Sequence, residues 1–113
     1  MIVVTVSEVA GRRVKRTLGL VRGNTVRASH AGKDLLAAFR NLVGGEVHEY
    51  TKLMAESREH ALDRMVEEAQ SLGANAVIGL RVTTAEIGSG LAEIMVYGTA
   101  VVLEDDPAEQ AGV

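Results

Sequence analysis

The chain has 113 residues, enough for one hydrophobic core but not for two. Its 47% hydrophobic content is almost wholly aliphatic, with Phe39, Tyr50 and Tyr97 the only aromatics, and the absence of cysteine excludes disulfides, thiolate catalysis and Cys-based zinc or iron–sulfur sites. The net charge of -3 is uneven: residues 1–45 sum to +6 and residues 46–113 to -9, with Arg12, Arg13, Lys15, Arg16, Arg22, Arg27 and Lys33 in a stretch that holds no acid.

That split reads as a solvated basic face complementing acids within or between subunits. Nucleic acid is not an expected partner, because single-strand binders stack bases on aromatic rings and the basic stretch has none. No basic leader precedes Ile2, and no apolar run approaches the roughly 20 residues a bilayer span needs. A cytoplasmic protein without direct membrane insertion is the expectation.

In chain order, Ile2 to Val6 is a β-branched run and Val14 to Val26 a second strand pattern, with Ala10-Gly11 the turn of an expected hairpin. Gly19 and Gly23 interrupt the second strand, where glycine marks a bulge or a close backbone approach. Leu35, Leu36, Phe39, Leu42 and Val43 predict a short amphipathic helix over 34–43. Gly44-Gly45 breaks it, and a long helix follows from Glu46 or Glu49 to Leu72, ended by Gly73 in the left-handed conformation.

On that long helix Tyr50, Leu53, Met54, Ala61, Leu62, Met65, Ala69 and Leu72 share one face, and Lys52, Glu56, Glu59, His60, Asp63, Glu67 and Gln70 the other. Glu68 falls inside the apolar stripe, and Arg64, one turn earlier, is its expected partner. Ala76 to Thr84 alternates as a strand with Ala76, Ile78, Leu80 and Val82 on one apolar face. A Gly88-Ser89-Gly90 loop leads to a strand over 91–103, too long for a compact domain of this size unless it bends at Gly98 or reaches a neighbouring subunit. Residues 104–113 read as an acidic disordered tail after a single domain over 1–103.

The expected fold is α+β, with a short and a long helix packed on one face of a mainly antiparallel sheet in β-β-α-α-β-β order. Its sheet edges call for protection, which oligomerisation would provide.

Arg40-Asn41-Leu42-Val43-Gly44-Gly45-Glu46, Gly73-Ala74-Asn75-Ala76 and Tyr97-Gly98-Thr99-Ala100-Val101, together with Gly19, Gly23, Tyr50, Arg58, Ala61, Met65, Ala69 and Gly79, resemble the YbjQ-like family. These are small uncharacterised proteins carrying a heavy-metal-binding label, and the resemblance covers roughly residues 17 to 103. It implies a subunit of a ring-shaped homo-oligomer, a pentamer, and no established catalytic activity.

Candidate sites are few. Glu56, His60 and Asp63 have a helical spacing that permits chelation, although mixed charge is what any solvated helix face shows. Arg40, Gly44, Gly45, Glu46 and Tyr50 surround the helix break, where a small anionic ligand or a neighbouring chain could be held. No Ser/His/Asp set can be assembled from spacing, and a buried Glu68 is the sole general-base candidate. The expectation is a non-enzymatic protein with no cofactor whose principal partner is itself. A module binding a small ligand or metal ion at intersubunit clefts is the alternative.

Overall fold

The computed structural model describes residues 1–28, 46–86 and 91–108. Four strands, β1 (Ile2–Val3), β2 (Arg12–Ala28), β3 (Ala76–Glu86) and β4 (Leu91–Asp105), and one helix, α1 (Glu46–Ser71), make an α+β fold. The sheet order is β1-β3-β4-β2. It is mixed rather than wholly antiparallel: β4 pairs antiparallel with β2 and β3, whereas β1 lies parallel to β3.

The expected opening hairpin does not form. Instead β1 and β2 occupy opposite ends of the sheet order; along the chain the described elements run β-β-α-β-β. β4 is covered on both faces, Ile94, Val96 and Ala100 by α1 and Val101 and Leu103 by Ile2, Val9 and Ile78, and it takes a backbone partner at each edge. β2 and β3 fill those places, leaving β1 to add outside β3 through Ile2 N–H to Asn75 O (3.2 Å) and Val4 N–H to Val77 O (3.0 Å). The predicted short helix over 34–43 lies outside the described residues.

The long helix ends as its sequence demands. Gly73, at φ +85°, donates to Gln70 O (3.0 Å) while Ala74 N–H reaches Ala69 O (3.1 Å), the paired bonds of a Schellman cap. Ala61, Met65 and Ala69 are fully buried against Val21, Val77, Ile94, Val96 and Ala100. Position 23 sets the approach of helix to strand: a Cβ there would overlap the Ala61 carbonyl oxygen and lie 2.6 Å from the Met65 amide nitrogen, so only glycine lets α1 rest on β2. Thr25 Oγ1 then donates to Ser57 O (3.1 Å) and Arg64 Nη1 to Asn24 O (2.7 Å), fastening the same helix to the same strand.

The two strand glycines with positive φ sit where the ladder shifts. Gly19, at φ +117°, ends the second of two bulges in β2. Gly79, at φ +65°, and Leu80 stand together opposite Gly98, and their N–H groups turn away to Val6 O (2.9 Å) and Val4 O (3.1 Å). This bulge corrects the single apolar face expected for β3. Ile78 packs with Ala76, Val101 and Leu103 on the far side of the sheet, whereas Leu80 joins the core beneath α1.

The long last strand expected over 91–103 is present as β4, which runs through Gly98 for 15 residues, roughly 50 Å at the usual rise. Glu104 and Asp105, expected in a frayed tail, remain in register with Arg13 and Arg12. The molecule is elongated, with extents of 61 × 28 × 16 Å and a radius of gyration of 18.5 Å, against about 13 Å for a compact chain of this length.

Candidate functional site

The outer face of α1 presents Glu56, Glu59, His60, Asp63 and Glu67 to solvent. Chelation by Glu56, His60 and Asp63 is not supported by their placement. Among the described residues no three His, Cys, Asp or Glu side chains come together in a group that could hold a metal ion. The general-base candidate is lost as well, since Glu68 is exposed and Arg64 spends its guanidinium on the Asn24 carbonyl rather than on Glu68. Because α1 rests over β2, the angular position of Glu68 falls beyond the buried stripe.

Of the residues around the helix break, Arg40, Gly44 and Gly45 lie outside the described residues. Glu46 begins α1 and Tyr50 follows one turn later, with side chains outside the described residues too. At the far end of the helix a shallow open depression of about 430 Å³ is lined by Met1, Ile2, Arg12, Gln70, Ala74 and Asn75. Its cation is already engaged, Arg12 Nε lying 3.2 Å from Asp105 Oδ1.

The basic strand divides into two parts. Near its start Arg12 and Arg13 face Asp105 and Glu104, the latter pair at 2.8 Å, so the charge split is partly complemented within the chain. Further along, Arg22 is exposed and has no ion-pair partner among the described residues.

Among the described residues, much of the sheet face opposite α1 carries no covering element. Residues 4–11 cross one end of it, where Val9 packs with Ile2 and Ile78 over Ala76, Val101 and Leu103. Beyond that cover the strand register sets out successive rows on one face: Leu20 and Ile78 beside Thr99, Arg22 and Arg81 beside Tyr97, Asn24 and Thr83 beside Met95. Leu20 is 63% exposed and Val26 51%, large values for aliphatic side chains in a paired strand. Sequence reasoning missed the Arg22–Tyr97–Arg81 row because its members are 16 to 75 positions apart and no local pattern joins them; the pairing of three strands does.

Two stretches of sheet edge are also open. The outer edge of β2 has no strand partner among the described residues, and β1 shields only the start of β3, leaving Val82 to Glu86 exposed.

A family model described as "Putative heavy-metal-binding" matches residues 1–104. A UPF0145 protein of Clostridioides difficile is 53% identical over 106 residues, covering 94% of this chain and 95% of that one. UPF0145 proteins of Pyrococcus abyssi and Thermus thermophilus are 54% and 57% identical over 104 residues, each match covering 92% of this chain and 91% of the relative. The fold is also that of a crystal structure from Pediococcus pentosaceus, a protein of unknown function in the DUF74 family. It superposes with a TM-score of 0.61 at 18% identity, over 92% of this chain and 98% of that one.

Proposed function

Since the chain belongs to the YbjQ-like, or UPF0145, family, we propose that it is a non-enzymatic cytoplasmic subunit of a ring-shaped homo-oligomer, an assembly or interaction module of five copies. The exposed sheet carries this reading: a slab 16 Å thin exposes Leu20 and Val26 on one face, and among the described residues both long edges are short of strand partners. A domain that must bury its apolar surface and satisfy its strand edges gains both by joining copies of itself. The edges differ, β2 on one side and the end of β3 on the other, so contact between them is heterologous. Such contacts close into rings when the rotation permits. Among the described residues no helix is long and apolar enough to cross a membrane, in keeping with a protein that works away from the bilayer.

Light scattering on the full chain tests the reading. Five copies of a 12.0 kDa chain give a particle of about 60 kDa, and a stable monomer at micromolar concentration would exclude it.

The family description favours a second reading, a module for a metal ion or small ligand at intersubunit clefts. The described part of one chain lacks a fitting donor set, and without cysteine a soft metal would depend on histidine and carboxylates. Calorimetric titration of the assembled protein with Zn²⁺ separates the readings: binding abolished by His60→Ala would restore the helix-face site, whereas no saturable heat would leave assembly alone.

A further inference from the structure

We infer that copies of this chain join by continuing one β-sheet into the next, residues 19–28 of β2 in one copy pairing along their outer edge with residues 82–86 of β3 in its neighbour. The inference rests on the assembly reading above and names the two segments that carry it.

An edge strand avoids stray pairing through bulges, charge or a covering segment, and this sheet has those devices over only part of its edges. The start of β2 has two of them: both register shifts fall between Val14 and Gly19, and Arg12, Arg13, Lys15 and Arg16 line the same stretch. The start of β3 is covered. Ile2 and Val3 pair beside Ala76 and Val77, Val6 O and Val4 O accept from the Gly79 and Leu80 N–H groups, and Arg81 Nη1 donates to Thr5 O (2.9 Å).

The remaining stretches lack this protection. From Gly19 to Ala28 the β2 ladder with β4 is unbroken, and among the described residues no strand lies outside it. Residues 82–86 run on past β1 in regular pairing with β4; Val82, Thr83 and Thr84 are β-branched, and no proline or lysine stands there to obstruct a further strand. Both stretches also hold aliphatic side chains in water, Leu20 and Val26 on one and Val82, 50% exposed, on the other. Their exposed charges, Arg22 and Glu86, are opposite in sign and form no ion pair among the described residues, so like-charge repulsion does not oppose the approach. Joining β2 to β2 would set cation beside cation and close at two copies about a two-fold axis, whereas joining unlike edges repeats from copy to copy around a ring. Because β2 and β3 each run antiparallel to β4, a sheet carried onward in one sense joins them in parallel.

The test is cross-linking between single cysteines, for which a chain without cysteine gives no background. Asn24 and Thr83 are exposed and share one row on the face opposite α1. Full-length Asn24→Cys and Thr83→Cys chains, co-expressed and treated with a short bismaleimide, should yield a covalent dimer that joins unlike variants, identified by mass spectrometry of the linked peptides. Each variant expressed alone should yield none. Val82→Lys, which places a charge on the open edge at an exposed position, should remove the linked product and reduce the particle from about 60 kDa to 12.0 kDa while the helical circular dichroism persists. Val14→Lys, the same change in the bulged stretch, should alter neither. If Val82→Lys loses its helical signal, the cysteine pair decides. A covalent dimer from Asn24→Cys alone would assign β2 to pairing with itself and overturn the inference. A ring that gives no unlike product would also overturn it while keeping the assembly. An unlike product in a particle of another size would keep the pairing and lose the five-copy ring, and a monomeric parent chain would lose both.

Discussion

Gly23 and Asn75 show how much one side chain, present or absent, settles in this molecule. A methyl group at position 23 would press on the backbone of α1 at Ala61 and Met65, and a backbone cannot rotate aside as a flexible side chain can. Gly23→Ala should therefore cost about 3 kcal/mol, read as a lower urea midpoint with unchanged m. A midpoint equal to that of the parent would mean that the helix does not rest there. Asn75 works in the opposite way. Its amide donates to Leu103 O (2.9 Å) and accepts from Leu103 N–H (2.7 Å), copying the pairing of a strand residue just before β3 begins. The sequence suggests a turn residue for Asn75, yet no residue other than glycine has positive φ among those described, so tolerance of a left-handed turn is not its role. Asn75→Ala should lose about 1 to 2 kcal/mol and speed hydrogen exchange at the Leu103 amide about tenfold or more.

At the scale of elements, the helix was legible and the sheet was not. A 3.6-residue periodicity and a terminal glycine are local signals, and α1 follows them from Glu46 to its cap at Gly73. Gly73→Ala should cost about 1 kcal/mol, because the left-handed position is open to glycine and strained for alanine; thermal melts followed by circular dichroism would measure it. Strand partners are chosen by distant residues. Ile2 to Val6 and Val14 to Val26 each look like half of a hairpin, but β2 pairs with β4 over 15 residues while β1 pairs parallel with the start of β3. The Arg12–Asp105 and Arg13–Glu104 pairs join the far ends of β2 and β4 in solvent, where water and salt screen them. Arg13→Gln should change stability by less than about 0.5 kcal/mol, and less still in high salt.

For the whole molecule, the described residues make an elongated slab with α1 on one face of the sheet and Leu20 and Val26 exposed on the other. If that face joins copies, replacing both Leu20 and Val26 with lysine should split the particle to monomers while the helical circular dichroism persists. Sedimentation of the double variant as an intact ring would place the contacts elsewhere. The charge asymmetry legible in the sequence has a partial outlet inside one chain, at Arg12 and Arg13, while Arg22 lies on the sheet face opposite α1. The chelating spacing of Glu56, His60 and Asp63 was equally legible, but among the described residues no three His, Cys, Asp or Glu side chains gather into a group that could hold a metal ion.

The sequence by itself determined the α+β class, the extent and cap of the long helix, the overlong last strand and the glycines that mark bulges and close approach. Each of these is written within a few neighbouring residues, through periodicity, the left-handed freedom of glycine and β-branched stiffness. Tertiary structure alone decided which strands pair, how the Gly79 bulge turns Ile78 and Leu80 to opposite faces, and that Tyr97 stands between two arginines. Those outcomes depend on backbone pairing at both edges of β4 and on packing across its two faces, and no window of the chain contains the distant residues that supply them.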